Sequence, residues 1–198
     1  PTVTYRHQAG LPKGLEPDEV RRILTSCDTT SDNGVRDLAI LTLLVRLGLR
    51  RCEVSRLGLD DIDWRAGTIC VHGKGNCLER LPLPADVGHY LAQYLRHARP
   101  AKARGRTVFV RHFAPYNALS ATRVSTIVAD AARRAGVGRV HAHRLRHTAA
   151  TQLLRAGASL PEIGQVLRHH RARTTAIYAK VDHDTLRVIA RTWPEDAQ

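Results

Sequence analysis

Residues 35–47, VRDLAILTLLVRL, set apolar side chains around most of a helix and not along a single stripe. A helix of that kind has no full face to give to solvent and belongs in the core. The chain is therefore expected to be a helical domain organised around this segment. Its limits are marked by a polar loop over residues 29–34 and by Gly48, which suits a left-handed helix stop. The longest apolar run, residues 38–45, contains a threonine and is far shorter than the roughly 20 residues of a bilayer span. No membrane segment is expected.

The other segments follow the same local logic. Residues 1–14 read as a polar linker. Glu16-Pro17-Asp18-Glu19 puts proline and acids in a first helical turn, and Val20, Ile23 and Leu24 then form an apolar stripe. Gly48 opens a short helix ending near Leu57, and residues 60–64 form a turn. Residues 68–71 and 79–83 read as paired strands joined through Gly73-Lys74-Gly75-Asn76, whose glycines permit a hairpin with Lys74 at its tip. Residues 85–97 are expected to be helical, with Tyr90, Leu91, Tyr94 and Leu95 at core spacing. A basic exposed loop over residues 96–106 and a short strand at residues 107–110 come next. Ser120 caps a helix to about residue 135 with Ile127, Val128 and Ala131 inward. A helix starting at His143 runs to Arg155 and stops at Gly157, and Ser159-Leu160-Pro161-Glu162 is a capping box opening another through residue 167. A polar break at residues 169–173 and a short amphipathic helix at residues 184–191 close the chain. The expected class is α+β, mostly α-helical, with one small antiparallel sheet.

Charge narrows the partner. The 198 residues carry a net charge of +13 with a pI near 10.6, yet 43% are hydrophobic, so this is a folded chain and not a basic tail. A folded, arginine-rich protein points to a polyanion, with nucleic acid the default. Cys27, Cys52, Cys70 and Cys77 have neither CxxC nor CxxH spacing, and no secretory signal is visible, which places the chain in a reducing, cytoplasmic setting. The histidines show no HExxH pattern; His141-Ala142-His143 is the only close HxH pair and lacks an acidic partner, so no metal is expected.

The cations are also clustered. Residues 139–175 hold seven arginines and five histidines against one carboxylate, Glu162, which argues for phosphate and against sugar or peptide chemistry. His143 and Arg146 lie three apart and share a helix face. Four spaced motifs follow in order: Gly48-Leu49-Arg50-Arg51-Cys52-Glu53, then Gly73-Lys74-Gly75-Asn76, then His143-Arg144-Leu145-Arg146-His147, and finally residues 167–178 with His169 nine before Tyr178. Taken alone, each has an ordinary structural explanation, as a solvated surface, a good turn or a core side chain.

In that order and spacing they resemble the tyrosine recombinase (phage integrase) family over about residues 15–181. The resemblance implies the helical DNA breaking-and-rejoining fold, with residues 15–181 as the catalytic domain. Residues 1–14 would be the remnant of an N-terminal DNA-clamping domain, and residues 182–198 a tail that packs on a neighbouring subunit or folds back in cis. It implies six catalytic positions: Arg50, Lys74, His143, Arg146, His169 and Tyr178. Glu53 would orient Arg50 without proton chemistry. The implied partners are double-stranded DNA and, for exchange, a homo-tetramer on two DNA sites, in a bacterial or phage-encoded protein using no cofactor.

The residue types suit the chemistry. A tyrosine phenolate keeps the phosphodiester's energy in a covalent bond, but its pKa near 10 calls for help from cations or a base. Two guanidiniums bind the charge of the pentavalent transition state, and a hairpin lysine can protonate the departing 5′-oxygen. His143 is the expected base and His169 a hydrogen-bond donor to phosphate. One departure stands out. The family usually has Leu-Gly-His where this chain has Leu167-Arg168-His169, followed by His170, so the helix end must be built differently and either imidazole can reach for phosphate. A topoisomerase IB-type relaxing enzyme and a DNA-binding module that no longer cuts remain the rival readings.

Overall fold

The computed structural model of the protein describes residues 14–73 and 78–168. Helix α1 (Pro17–Thr25) begins as its acids dictate, the Glu19 carboxylate accepting the Glu16 N–H at 2.9 Å. Helix α2 (Asp32–Arg46) is the central element, with Ile40, Leu41, Leu43 and Leu44 wholly buried. Around it pack α1, α3 (Arg51–Arg56), α4 (Ala85–Gln93), α5 (Ala121–Arg134) and α6 (Ala142–Arg155), and α7 (Leu160–Val166) lies against α6. The main hydrophobic core gathers around α2, as expected of a helix apolar all round, and a smaller cluster of Ala150, Ile163 and Leu167 joins α7 to α6.

The small sheet has the order β1-β2-β3 and is antiparallel throughout, with β2 (Thr68–His72) paired to β3 (Leu78–Pro82) in the register Ile69↔Leu81 and Val71↔Glu79. Ile69, Val71 and Leu81 point inward, giving the period-2 burial of a half-covered sheet. The Lys74 tip of the hairpin lies outside the described residues.

Three expectations need correction. The segment read as a polar loop over residues 29–34 already contains the start of α2. Ser31 caps the helix by accepting the Gly34 N–H at 3.1 Å, and a Cβ on Gly34 would fall 1.8 Å from the Asp28 carbonyl oxygen, so only glycine fits. The turn at residues 60–64 includes a third strand, β1 (Ile62–Asp63), pairing Ile62 with Ile69. Residues 107–110 are not a sheet strand. They form isolated bridges, Gly58 to Thr107 and Val110 to Ala118, while Val108, Phe109 and Val110 are buried and Val110 donates its N–H to the Tyr94 hydroxyl. The basic loop is exposed at Ala101, Lys102, Arg104, Gly105 and Arg106, as expected, and is tied down by the Arg99 guanidinium, which donates to the carbonyls of Ala103, Gly105, Thr107 and Val108. Helix α4 itself gives way to a wider π-type turn at Tyr94–Ala98.

The remaining caps agree with the sequence. Ser120 accepts the Arg123 N–H at 3.2 Å, and Ser159 and Glu162 make the reciprocal capping box of α7. Among the described residues, no helix is long and apolar enough to cross a membrane, and no cluster of metal-ligating side chains occurs.

Candidate active site

Three helix ends meet at one cavity. Gly48 takes φ +57°, turning the chain out of α2, and Arg50 becomes the residue before α3. Helix α6 brings His143 and Arg146 up on its first turns, and His141 precedes that helix. The cavity, about 410 Å³, is lined by Arg50, Arg51, Ser125, His141, His143 and Arg146 among others. Sequence reasoning singled out Arg50, His143 and Arg146, and the fold brings these three together. It did not assign Arg51, Ser125 or His141 to the site. Arg51 is held across the cavity wall by the Ser125 hydroxyl at 3.2 Å, a contact over 74 positions that no local pattern announces.

Each arginine is fixed from behind. Arg146 is buried, and its Nη1 donates to the Gly48 carbonyl at 2.6 Å, tying α6 to the turn that launches Arg50. Arg50 donates from Nη1 to Glu53 Oε1 at 2.6 Å and from its backbone N–H to Glu53 Oε2 at 2.7 Å. Glu53 is thus a buried carboxylate that aims a guanidinium, and its charge is itself well supported. Burial alone would raise its pKa, but Arg168, and after it the hydrogen bonds and charge of Arg50, hold it below the usual carboxylate range.

Around the imidazoles the field is cationic. Burial first, then Arg146 and Arg50, push the His143 pKa below its ordinary value, leaving a neutral ring able to accept a proton at neutral pH. His147 stacks edge-on against it, ring centroids 4.4 Å apart, and its pKa falls to about 4 through burial, His143 and Arg146. A buried neutral histidine lowers stability in acid, because below about pH 6.5 the unfolded chain takes up a proton that the native ring refuses. The unfolding midpoint should therefore fall as pH drops from 6.5 towards 4. In His147→Gln that slope should be shallower, which a thermal melt series across this range would check.

Lys74, His169 and Tyr178 lie outside the described residues, as do residues 1–13 of the linker and the tail helix expected at residues 184–191. The residue just before His169 is described, and sequence reasoning had noted it only as a departure that rebuilds the helix end. Arg168 takes φ +54° where a small residue is usual, and its side chain is fully buried.

A helical domain with a small antiparallel sheet, setting an aimed arginine beside an HxxR helix, defines the class of tyrosine recombinase catalytic domains. A solved XerH site-specific recombinase bound to its palindromic difH substrate, in a post-cleavage complex, superposes with a TM-score of 0.80 at 26% identity, over 96% of this chain and 56% of that one. The phage integrase family model matches residues 13–184, and the chain belongs to that family. It is 46% identical over its whole length to a putative integrase/recombinase, y4rA, of Sinorhizobium fredii, and 36% identical over 90% of its length to the tyrosine recombinase XerD of Listeria innocua. It spans 49% of the first of these relatives and 61% of the second.

Proposed function

We propose that this chain is the catalytic domain of a site-specific DNA recombinase or integrase working through a 3′-phosphotyrosyl intermediate. The observation that carries the reading is the cavity in which Arg50 and Arg146, each anchored from behind, converge with a neutral His143. In this mechanism Tyr178 attacks the scissile phosphate, forming the tyrosine–phosphorus bond as the bond to the 5′-oxygen breaks. His143 takes the phenol proton, and Lys74 gives a proton to the departing 5′-oxygen. Arg50 and Arg146 bind the nonbridging oxygens, where negative charge grows, and His169 donates to one of them. The 5′-hydroxyl of another strand then reverses the step. The bond energy stays in the phosphotyrosine, so the exchange needs no ATP, and the two guanidiniums supply the charge a metal would otherwise bring. The partner is duplex DNA, gripped chiefly through phosphate contacts that weaken with salt, and complete exchange takes four copies on two sites.

Covalent capture tests this. The protein is incubated in a chelator with a randomised library of nicked duplexes, which lose the cleaved fragment and so trap the adduct. Digestion with trypsin and a nuclease should then leave a nucleotide on the peptide Thr174-Thr175-Ala176-Ile177-Tyr178-Ala179-Lys180. Binding without any adduct, or an adduct on another residue, would overturn the assignment and leave a DNA-binding module. Transfer of the captured strand to a second duplex separates recombination from simple relaxation.

A further inference from the structure

Arg168 meets the catalytic arginine directly through its carbonyl and indirectly through Glu53. Its Nη2 donates to Glu53 Oε2 at 2.9 Å, and its carbonyl accepts from Arg50 Nη2, also at 2.9 Å. Its Nη1 is held by the Val166 carbonyl at 2.9 Å. The backbone conformation is one that a side chain makes costly and glycine would adopt freely. A guanidinium with no exposed surface adds the cost of stripping its water. The turn itself needs neither. What the guanidinium changes is the charge behind Arg50.

With Glu53 alone, the cluster would be one carboxylate against one guanidinium, and the cation facing phosphate would be neutralised at its base. Arg168 makes it two guanidiniums around one carboxylate. Of the three side chains only Arg50 opens towards solvent, at 31% exposure against 2% for Glu53 and none for Arg168. The surplus positive charge is therefore presented by Arg50. The fork is also locked at both tips, Nη1 on Glu53 and Nη2 on the Arg168 carbonyl, with the remaining N–H groups of its five left for an incoming anion.

We infer that Arg168 is a positioning residue that restores cationic charge to Arg50 and fixes its fork for the nonbridging oxygens of the scissile phosphate. The inference rests on the phosphotyrosyl reading above.

The test uses a duplex that the native protein captures covalently, with either a phosphate or a methylphosphonate at the scissile position. Arg168→Gly keeps the backbone carbonyl and suits the left-handed turn, while removing the guanidinium together with its buried stem. Cleavage of the phosphate should slow by roughly 10–100-fold, as for other outer-shell partners, while DNA affinity stays within about threefold. On the methylphosphonate, which lacks the charge that Arg50 meets, native and variant should differ far less. A purely structural role would slow both substrates alike, and that result would overturn the inference. So would phosphate cleavage at the native rate. If Arg168→Gly does not fold, Arg168→Met, which keeps the buried volume, is read in the same way; failure of both to fold would make Arg168 a core residue and reject the proposal. No adduct from the native protein would instead defeat the phosphotyrosyl reading, and this inference with it.

Discussion

Arg146→Lys should slow single-turnover cleavage by about 10²–10³-fold, the loss of about 2.7–4 kcal/mol typical of one preorganised donor to a transition-state oxyanion. The reason is geometric. Arg146 gives one N–H to the Gly48 carbonyl at 2.6 Å and, as a planar five-donor fork, lines the cavity as well. Lysine keeps the charge but offers a point cation on a flexible stem. It can satisfy Gly48 or meet a phosphate oxygen, and one of the two is left unserved. DNA affinity should change much less, because binding is spread over many phosphate contacts. Rapid-quench measurement of covalent complex formation, beside a binding titration, separates the two effects. Equal losses in rate and affinity would mean that Arg146 grips DNA without favouring the transition state.

Glu53→Gln should be the most destabilising single change in the site. The carboxylate is buried between the backbone and side chain of Arg50 and the guanidinium of Arg168. Glutamine presents two amide hydrogens to a place already filled with donors, and leaves a wholly buried cation without its counter-charge. Breaking such a pair costs about 3–5 kcal/mol, which lowers the melting temperature by on the order of 10 °C in a domain of this size. The pH dependence has a definite sign. Glu53 titrates below the ordinary carboxylate value, so its stabilisation is full above about pH 4.3 and fades as pH falls through its lowered native pKa. The gap between native and variant should thus close in acid. A gap that stays constant to pH 2–3 would show that shape and not charge sets the cost.

What could be read from the sequence was local. Ser120 and Ser159 announce helices because a cap acts over three residues, and the spacing of His143 and Arg146 places them on one face of α6. The start of α2 was missed for a related reason. Asp32-Asn33-Gly34 has loop composition, and the glycine is required only by the Asp28 carbonyl it packs against. Strand β1 has two residues, too few to show a period. Residues 107–110 have strand-like side chains but find no neighbouring strand, only single bridges and the Tyr94 hydroxyl. At the site, the bulk of Arg168 was visible in the chain but its destination was not. No spacing rule connects it with Glu53, 115 positions earlier.

That separation has a consequence for the moment of synthesis. Arg50 and Glu53 emerge early, yet the Gly48–Arg146 bond spans 98 positions and the Arg50–Arg168 bond spans 118. Domains fold largely as units once their chain is available. A nascent chain that has exposed only α1 to α5 therefore holds Arg50 without Arg146 and has no cavity. The paired arginines and the cavity they line are complete only when most of the domain has been translated.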